Sequence, residues 1–235
     1  MISVIITTFN SLEKLLKPCI ESIIKYTDLS DIEVIVMADA RKDGTSDDTR
    51  EYVENLGSPF KLIWGDKPQG YTRACNNGIK AAKGDYILLL NDDIVLLPQQ
   101  KNLWIDLLLN PFKIDNNVGI TTVIKFTFDC AGIWRTGSAY WCVLIKRDVF
   151  DKIGCLDETI LSTDLDHSIK ASVAGYRIVQ VPNDKSVRFL DPTETLDFGF
   201  PIYHMGSPTF DAIYGADKKE MEHQDRLRIK ERYGD

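Results

Sequence analysis

Basic residues are in the minority in this sequence, which has 28 Lys and Arg against 35 Asp and Glu and a formal net charge of −7. A protein that binds nucleic acid through bulk positive charge has the opposite balance, so that class is excluded. A nucleotide ligand stays compatible, because one phosphate site needs only local positive charge. Long apolar runs are also lacking: none approaches the roughly 18 residues that cross a bilayer. We therefore expect no transmembrane segment.

The number and spacing of the cysteines argue against disulfide bonds and structural zinc sites. The five cysteines are odd in number, and no pair has CxxC spacing. A disulfide framework or a structural zinc site is therefore not expected, and a reducing compartment fits. The apolar run Ile2 to Thr8 has no basic region ahead of it, so we expect no signal peptide. These absences favour a cytoplasmic location and leave peripheral attachment to a membrane open.

The first part of the sequence alternates strand and helix patterns. Short apolar and β-branched runs are separated by segments of helical spacing, which predicts an α/β fold with a parallel sheet and helices on both faces. The predicted strands are Ile2–Thr8, Glu33–Met37, Phe60–Trp64 and Tyr86–Leu90. The predicted helices include one capped by Thr45 or Ser46 that ends near Leu56, and one over Tyr71–Ala82.

The later part of the sequence has a different order of elements. Strands are predicted over Val118–Lys125, Ala139–Lys146 and Arg177–Val181, and helices over Arg147–Ile153 and Asp164–Ala174. The stretch from Asp191 to Pro208 is rich in Pro, Gly and aromatic residues, as active-site loops often are. Lys218–Tyr233 predicts a highly charged helix with little apolar stripe, which we expect to be a solvated terminus.

The first candidate site is Asn91-Asp92-Asp93, which directly follows a buried strand. In a parallel sheet, ligands bind beyond the carboxyl ends of the strands, and a carboxylate there can hold a hard cation. An ordinary strand-to-turn transition, in which Asn and Asp are common, explains the same pattern. The spacing alone supports both interpretations about equally.

Two more candidates lie near the same expected edge of the sheet. Asp39, after the second strand, can accept hydrogen bonds from a nucleobase or ribose, although its loop also has the composition of a helix cap. Arg73, near a helix N-terminus, can pair with a phosphate. A surface arginine on an amphipathic helix is the commoner interpretation of Arg73.

Asp164, Asp166 and His204 complete the candidates. Two carboxylates at the start of a helix are favourable for electrostatic reasons alone, and the functional alternative is a general base with a tuned pKa. His204 lies in the expected active-site loop, but an isolated histidine is more often structural than a ligand.

Taken in order, these segments resemble the GT-A fold, family-2 type (inverting) glycosyltransferases. Ser3 to Asn10 resembles the first strand and nucleotide-binding turn of that family, and Val34 to Thr45 resembles its VIVVDNGSTDGT segment. Gly70 to Asp93 resembles the signature that ends in L-N-x-D. Thr136 to Glu158, Thr163 to Asp166 and Ala174 to Arg177 resemble the TG…RR…F…GGFDE, EDVDL and AGYRI segments, so the resemblance runs over residues 2–208 in one order.

The resemblance implies a GT-A (Rossmann-like) mixed sheet, mostly parallel and flanked by helices. It implies a metal-dependent, inverting transfer of a sugar from a nucleotide-sugar donor, UDP-linked by default, to an acceptor hydroxyl of a glycan or glycoconjugate, with Mn²⁺ or Mg²⁺ as cofactor. Carried over by position, the catalytic base is Asp164 with Asp166 in reserve, and the metal ligands are Asp93 and His204. The donor-binding residues are Thr7, Thr8, Phe9, Asn10, Asp39, Arg73, Asn76, Asn91 and Asp92. Candidates for stacking on the acceptor sugar are Trp134, Tyr140 and Trp141, and core packing is an equal alternative for each.

Ala38, Asn91 and Thr163 stand where the family prefers an acidic residue. These departures motivate an alternative function, a nucleotide-sugar or glycan-binding module with weak or no catalysis. A sugar nucleotidyltransferase is disfavoured because the turn after the first strand has no glycine, and a dehydrogenase because no GxGxxG follows a predicted strand.

The expected organisation is a single domain over residues 1–215 followed by the charged helix at 216–235. Within that domain the resemblance implies a donor half at 1–95 and an acceptor half at 96–215. The expected partners are the donor and the acceptor, and a homodimer is left open.

Overall fold

A computed structural model describes residues 1–182, 200–205 and 218–234 of the chain. The strands are β1 (Ile2–Thr8), β2 (Ile32–Asp39), β3 (Phe60–Gly65), β4 (Tyr86–Asn91), β5 (Ile94–Leu96), β6 (Val118–Thr122), β7 (Lys125–Cys130), β8 (Ile133–Ser138), β9 (Cys142–Lys146), β10 (Arg177–Gln180) and β11 (Ile202–His204). The helices are α1 (Lys17–Tyr26), preceded by a π-helical turn at Leu12–Leu16, α2 (Thr49–Leu56), α3 (Tyr71–Ala81), α4 (Leu103–Ile114), α5 (Arg147–Ile153), α6 (Thr163–Val173) and α7 (Lys218–Tyr233). No helix within the described ranges is long and apolar enough to cross a membrane. The predicted loop from Asp191 to Pro208 lies outside the described residues except for 200–205.

A seven-stranded sheet forms the centre, in the order β10-β6-β9-β4-β1-β2-β3. β1 is parallel to β2 and β4, β2 is parallel to β3, and β10 is parallel to β6. β9 is antiparallel to both of its neighbours, β4 and β6. The interior strands are almost wholly apolar because helices cover both faces of the sheet. The predicted mixed, mostly parallel α/β sheet is confirmed.

The core consists of two apolar layers, one on each face of this sheet. β1 contributes to both layers, because successive side chains of a strand point to opposite faces. Val4 and Ile6 belong to the layer that contains Trp104 of α4. Ile5 belongs to the other layer, with Ile79 of α3. The strand ends are thereby held from both sides, which fixes the edge where the candidate site lies.

The predicted strand over Val118–Lys125 is in fact two strands, β6 and β7. Thr122 Oγ1 accepts the backbone N–H of Ile124 at 3.3 Å, and such local bonds compete with the ladder of a sheet. The chain therefore leaves the main sheet and forms the antiparallel hairpin β7–β8, which the sequence pattern did not predict. Helix α4 and the short antiparallel pair β5–β11 are further additions to the predicted elements.

Helix α2 begins at Thr49, and the predicted cap at Thr45 or Ser46 is wrong. The capping residue is Asp48, whose side chain makes no capping hydrogen bond, and Asp47 Oδ1 accepts the N–H of Thr49 at 3.2 Å. The hydroxyl of Thr45 instead donates to Asp43 Oδ1 at 2.7 Å, within the loop.

One face of α7 is packed against the domain, so the expectation of a solvated helix is wrong for that face. Ile229 is fully buried and lies in a cluster with Cys130, Leu165 and Ile169. A single buried isoleucine leaves little periodic signal among charged residues, which explains why the sequence pattern missed this contact.

Close packing of α3 on β1 gives a stability prediction at Gly78. A methyl group at this position would lie 2.5 Å from Ile5 Cγ2, on a β-branched side chain with little freedom to move. We expect Gly78→Ala to lower the free energy of unfolding by about 1–3 kcal/mol. The clash outweighs the higher helix propensity of alanine, which by itself favours a helix over glycine by roughly 1 kcal/mol. Chemical denaturation measures the change, with the exposed Lys80→Ala as control. Equal or higher stability of the Gly78 variant would contradict the prediction.

Candidate active site

The strands β1, β2 and β4 end at the same edge of the sheet because they are parallel neighbours. In register, Thr8 pairs with Ala38 of β2 and Thr7 pairs with Asn91 of β4. The three segments that follow these strands, each predicted to bind the donor, therefore start side by side. Ligands of open α/β sheets bind at this edge.

Asp92 is tied to the end of β1. Thr8 Oγ1 donates a hydrogen bond to Asp92 Oδ2 at 2.7 Å, and both residues are buried. Burial raises the pKa of the Asp92 carboxyl to about 7; the Asp93 carboxylate acts in the same direction and the bond from Thr8 acts against it. Thr8 and Asp92, both predicted to bind the donor, thus hold two strand ends together.

Asp93 and His204 come together although they lie far apart in sequence. Antiparallel pairing of β11 with β5 aligns His204 with Ile94, the residue after Asp93. His204 Nε2 lies 3.2 Å from Asp93 Oδ2, and both side chains are largely buried. The N–H of Met205 donates to the carbonyl oxygen of Asp93 at 2.9 Å, which closes the strand pair. These are the two residues that the sequence predicted as metal ligands.

This pair has the chemistry of a partial divalent-cation site. A carboxylate oxygen suits Mn²⁺ or Mg²⁺, and an imidazole nitrogen suits Mn²⁺ better than Mg²⁺. Among the described residues, no group of three or more His, Cys, Asp or Glu side chains is placed to hold a metal ion. The protein residues therefore fit a cation whose remaining positions are filled by ligand oxygens or water.

Trp141 stacks on the imidazole of His204. The two ring centroids are 4.6 Å apart, and the rings are nearly parallel, with an angle of 8° between their planes. The carbonyl oxygen of Trp141 accepts the N–H of Asn91 at 2.9 Å. Trp141 therefore packs against the histidine; the sequence analysis named it as a candidate for stacking on the acceptor sugar, with packing as an equal alternative.

Asp39 is buried at the end of β2 and already has a partner on each carboxylate oxygen. Oδ2 accepts the backbone N–H of Gln69 at 2.9 Å and Oδ1 accepts its side-chain amide at 2.7 Å. Gly65 makes this arrangement possible, because a Cβ there would lie 2.2 Å from Asp39 Oδ1. Asn77 Nδ2 in turn donates to Gln69 Oε1 at 2.8 Å. The sequence analysis missed Gln69, and an isolated Gln in a loop carries no signal that could have found it.

The turn after β1 is joined to the loop after β2. Asn10 has a positive φ of 48°, a conformation that asparagine tolerates better than most residues. Its Oδ1 accepts the N–H of Asp47 at 3.2 Å, and Asp47 Oδ2 accepts the N–H of Leu12 at 2.9 Å. Ser11 Oγ donates to the carbonyl oxygen of Phe9 at 3.0 Å within the same turn. Contacts within the protein therefore hold the predicted nucleotide-binding turn in this shape.

Arg73 and Asn76 contact another part of the protein in this structure. Arg73 Nε donates to Glu158 Oε2 at 3.0 Å. Asn76 is buried; its amide donates to the Leu156 carbonyl at 2.9 Å and to Glu158 Oε1 at 3.0 Å, and its oxygen accepts the Leu156 N–H at 3.0 Å. Both side chains hold the segment before α6 against α3. Asn76 is thus held by contacts within the protein, and its contact with the donor stays a prediction.

Asp164 lies in the first turn of α6 and is partly buried. Burial raises the pKa of its carboxyl to about 6, while hydrogen bonds from the backbone N–H groups of Leu165 and Tyr140 act in the opposite direction. Leu165 N lies 2.8 Å from Asp164 Oδ1. A carboxylate with a pKa close to neutrality is suited to take a proton from a hydroxyl group.

Asp166, the reserve candidate for the base, is occupied by an ion pair. Its Oδ1 accepts hydrogen bonds from Arg232 Nη1 at 2.8 Å and from the Tyr233 hydroxyl at 2.9 Å. The residue is buried, with 3% of its surface exposed. These contacts give Asp166 a structural role and leave Asp164 as the better candidate.

The aromatic residues predicted to stack on an acceptor differ in exposure. Tyr140 is buried in the core, and its hydroxyl lies 2.8 Å from His167 Nδ1. Burial lowers the pKa of His167 to about 4, so that ring is neutral. Tyr140 is thus packed in the core, which favours the alternative that the sequence analysis left open for it. Trp134, in β8, is 69% exposed and stays available for a ligand.

Comparison with known proteins identifies relatives of this chain. Residues 3–164 match the family described as Glycosyl transferase family 2. The chain is 37% identical over 100 residues to the GalNAc(5)-diNAcBac-PP-undecaprenol beta-1,3-glucosyltransferase of Campylobacter jejuni, an alignment that covers 41% of this chain and 30% of that protein. Two longer alignments, at 23% and 24% identity, cover only 24% and 16% of the bacterial relatives concerned. The chain therefore spans about a quarter or less of those proteins.

Two solved structures share the fold. The mannosyltransferase PcManGT of Pyrobaculum calidifontis, in complex with GDP-Man and Mn²⁺, is 20% identical with a TM-score of 0.59, covering 77% of this chain and 55% of that one. Staphylococcus aureus TarS, in complex with UDP-GlcNAc, is 18% identical with a TM-score of 0.54, covering 79% of this chain and 56% of that one. At these identities the likeness concerns the fold alone.

The raised pKa of Asp164 makes stability depend on pH. In the unfolded chain this carboxyl ionises near pH 4, whereas in the folded protein its pKa is about 6. Ionisation therefore opposes folding increasingly between these values and fully above them. We expect Asp164→Asn to raise the Tm relative to the wild type more at about pH 8 than at about pH 4. Thermal unfolding across pH measures this, with the exposed Asp151→Asn as control; a pH-independent difference would contradict it.

Proposed function

The chain belongs to glycosyl transferase family 2, as predicted, and on that basis we propose that it is a metal-dependent, inverting glycosyltransferase. The proposed donor is a nucleotide sugar, UDP-linked, and the acceptor is a hydroxyl group of a glycan or glycoconjugate. The enzyme class follows from the family, whereas the donor, the metal and the stereochemistry are parts of the proposal. One observation carries it: the consecutive residues Tyr140 and Trp141 contact the candidate base and the candidate metal ligand respectively.

Tyr140 and Trp141 support a single reaction centre. The Tyr140 backbone lies close enough to Asp164 to lower the pKa of its carboxyl, and the Trp141 ring stacks on His204 at 4.6 Å. Neighbouring Cα atoms are about 3.8 Å apart, so Asp164 and His204 both lie near one short stretch of backbone. A base that lies near a site for the leaving diphosphate suits an in-line displacement at the anomeric carbon.

Asp164 acts as the general base in this proposal. With a pKa of about 6 it is mostly ionised at neutral pH and still basic enough to accept the proton of the attacking hydroxyl. Its carboxylate lies at the start of α6, where it accepts the backbone N–H of Leu165 at 2.8 Å, and in this proposal it faces the acceptor hydroxyl. The hydroxyl oxygen attacks the anomeric carbon from the face opposite the leaving group, which inverts the configuration.

Asp93 and His204 would hold the Mn²⁺ or Mg²⁺ ion. Such an ion, when bound, neutralises charge that develops on the leaving nucleoside diphosphate. The two residues orient the diphosphate from the strand ends, where Thr7, Thr8, Asn91 and Asp92 line the same edge. PcManGT, which has the same fold, was solved with Mn²⁺, and this is consistent with the proposed use of a metal.

The remaining candidates are divided between donor and acceptor. In this proposal Asp39 accepts hydrogen bonds from a nucleobase in addition to those that it accepts from Gln69, and Phe9 and Asn10 form the adjoining turn. Arg73 is exposed and can leave Glu158 to meet a phosphate. On the acceptor side, Trp134 offers an exposed ring for a sugar. This arrangement supports a donor half at 1–95 and an acceptor half at 96–215.

An assay of donor turnover, in which water takes the place of the glycan acceptor, tests the proposal. The protein is incubated with Mn²⁺ and a panel of UDP-, GDP- and dTDP-linked sugars, and release of nucleoside diphosphate is measured. We expect turnover with a UDP-sugar and a fall in kcat of about 10²–10⁴-fold in Asp164→Asn. The exposed Asp151→Asn serves as the control and keeps wild-type kcat.

The alternative of a binding module without catalysis makes a different prediction in the same assay. It is motivated by the occupation of both Asp39 oxygens by Gln69 and by Thr163 in place of an acidic residue. It is favoured if nucleotide sugars bind but are never turned over. If Asp164→Asn turns over donor as fast as the wild type, Asp164 is not the base.

A binding measurement tests the metal ligands separately. We expect UDP with Mn²⁺ to raise the Tm of the wild type, because a ligand that binds only the folded state stabilises it. In Asp93→Asn the neutral amide is a poor cation ligand, so the Mn²⁺-dependent part of the rise is lost. The surface variant Glu54→Gln keeps it. A full Mn²⁺-dependent rise in Asp93→Asn would remove Asp93 from the site.

A further inference from the structure

Helix α7 contacts both ends of the segment that runs from Asp157 to Asp166. Arg232 Nη2 lies 2.8 Å from Asp157 Oδ2, and Arg232 Nη1 donates to Asp166 Oδ1 at 2.8 Å. One guanidinium therefore joins the beginning of the segment to the first turn of α6. The planar fork of arginine is suited to such a double contact, whereas the single ammonium of lysine is not.

Asp225 of α7 holds the middle of the segment. Its Oδ2 accepts the backbone N–H groups of Leu161 at 2.6 Å and Ser162 at 2.8 Å. Its side chain is buried, with 5% exposed. A buried carboxylate bonded to two amides is a strong, charge-assisted contact. These two amides belong to the residues that lead directly into α6, two or three positions before Asp164.

The end of α7 is fixed to two further elements. The Tyr233 hydroxyl donates to Asp166 Oδ1 at 2.9 Å, and the Tyr233 carbonyl oxygen accepts two hydrogen bonds from Arg135 of β8, at 3.1 and 3.0 Å. Ile229, fully buried, packs with Leu165. The helix is thus attached both to the hairpin and to the residues that follow Asp164.

These contacts flank Asp164 on both sides along the chain. Ser162 before it is held by Asp225, and Leu165 and Asp166 after it are held by Ile229 and Arg232. The position of the carboxylate relative to the sheet therefore depends on a helix that is separated from it by more than fifty residues of sequence.

We propose that α7 positions the catalytic base, with Asp225 and Arg232 as the positioning residues. The inference rests on the proposed function, because it assigns α7 a purpose in that reaction. The physical reason is geometric: a displacement of about 1 Å in a reacting group can cost about 10²-fold in rate. The two residues act through the backbone of the segment and do not touch the substrate.

Substitution of Asp225 tests the proposal in the full-length protein. In Asp225→Ala both amides lose their acceptor, and we expect kcat to fall by about 10- to 100-fold while KM for the donor changes by less than about threefold. Asp225→Asn keeps a carbonyl oxygen that accepts both N–H groups and should recover most of kcat. The exposed Glu231→Ala, on the same helix, should leave kcat unchanged.

The result that overturns the proposal is equally definite. If Asp225→Ala is folded at the assay temperature and has wild-type kcat, α7 only stabilises the domain. Should this variant not fold, Arg232→Lys gives the same test, because lysine keeps the charge but cannot bridge Asp157 and Asp166. A wild-type kcat in a folded Arg232→Lys variant also overturns it.

Amide hydrogen exchange separates this inference from the proposed function. In Asp225→Ala we expect faster exchange at residues 158–165 and unchanged exchange in β1–β4. If the wild type transfers no sugar from any donor, the proposed function fails while this measurement still reports whether α7 fixes the segment. Unchanged exchange at residues 158–165 overturns the positioning role whatever the activity.

Discussion

Parallel pairing of β1 with both β2 and β4 is the constraint on which the candidate site depends. It aligns the ends of three strands in one register, so Thr8, Asp39 and Asp92 lie at one edge without any contact between distant loops. The two apolar layers hold these strands from both faces and prevent the edge from shifting. The polar residues at the edge then reinforce the alignment through the Thr8–Asp92 hydrogen bond.

A second level of organisation comes from β9 and β11, which bring the later part of the chain to that edge. β9 lies antiparallel to β4, so the residues just before it, Tyr140 and Trp141, lie beside the end of β4. β11 pairs with β5 and delivers His204 to Asp93. The two candidate metal ligands thereby meet through main-chain pairing, which is more rigid than contacts between surface loops.

Carboxylates carry different roles according to what surrounds them. Asp166 and Asp225 are buried and bonded to cations or amides, so they hold the structure. Asp164, only two residues before Asp166, has a raised pKa and backbone partners, so it retains the basicity that proton transfer requires. Two acidic residues in the same helical turn therefore differ because of their tertiary partners, and residue type and spacing do not show this difference.

The sequence by itself determined the strand-and-helix order of the first part of the chain, the mixed sheet and the family, because apolar periodicity and local motifs are encoded in neighbouring residues. It also indicated Asp93, His204 and Asp164 as candidates. Only the tertiary structure decided that Asn76 and Tyr140 are buried and structural, that Gln69 occupies Asp39, and that α7 packs on the segment around Asp164. Those contacts join residues that are far apart in sequence, and their energies depend on burial and geometry. No periodic pattern or local motif in an amino-acid sequence encodes these two properties.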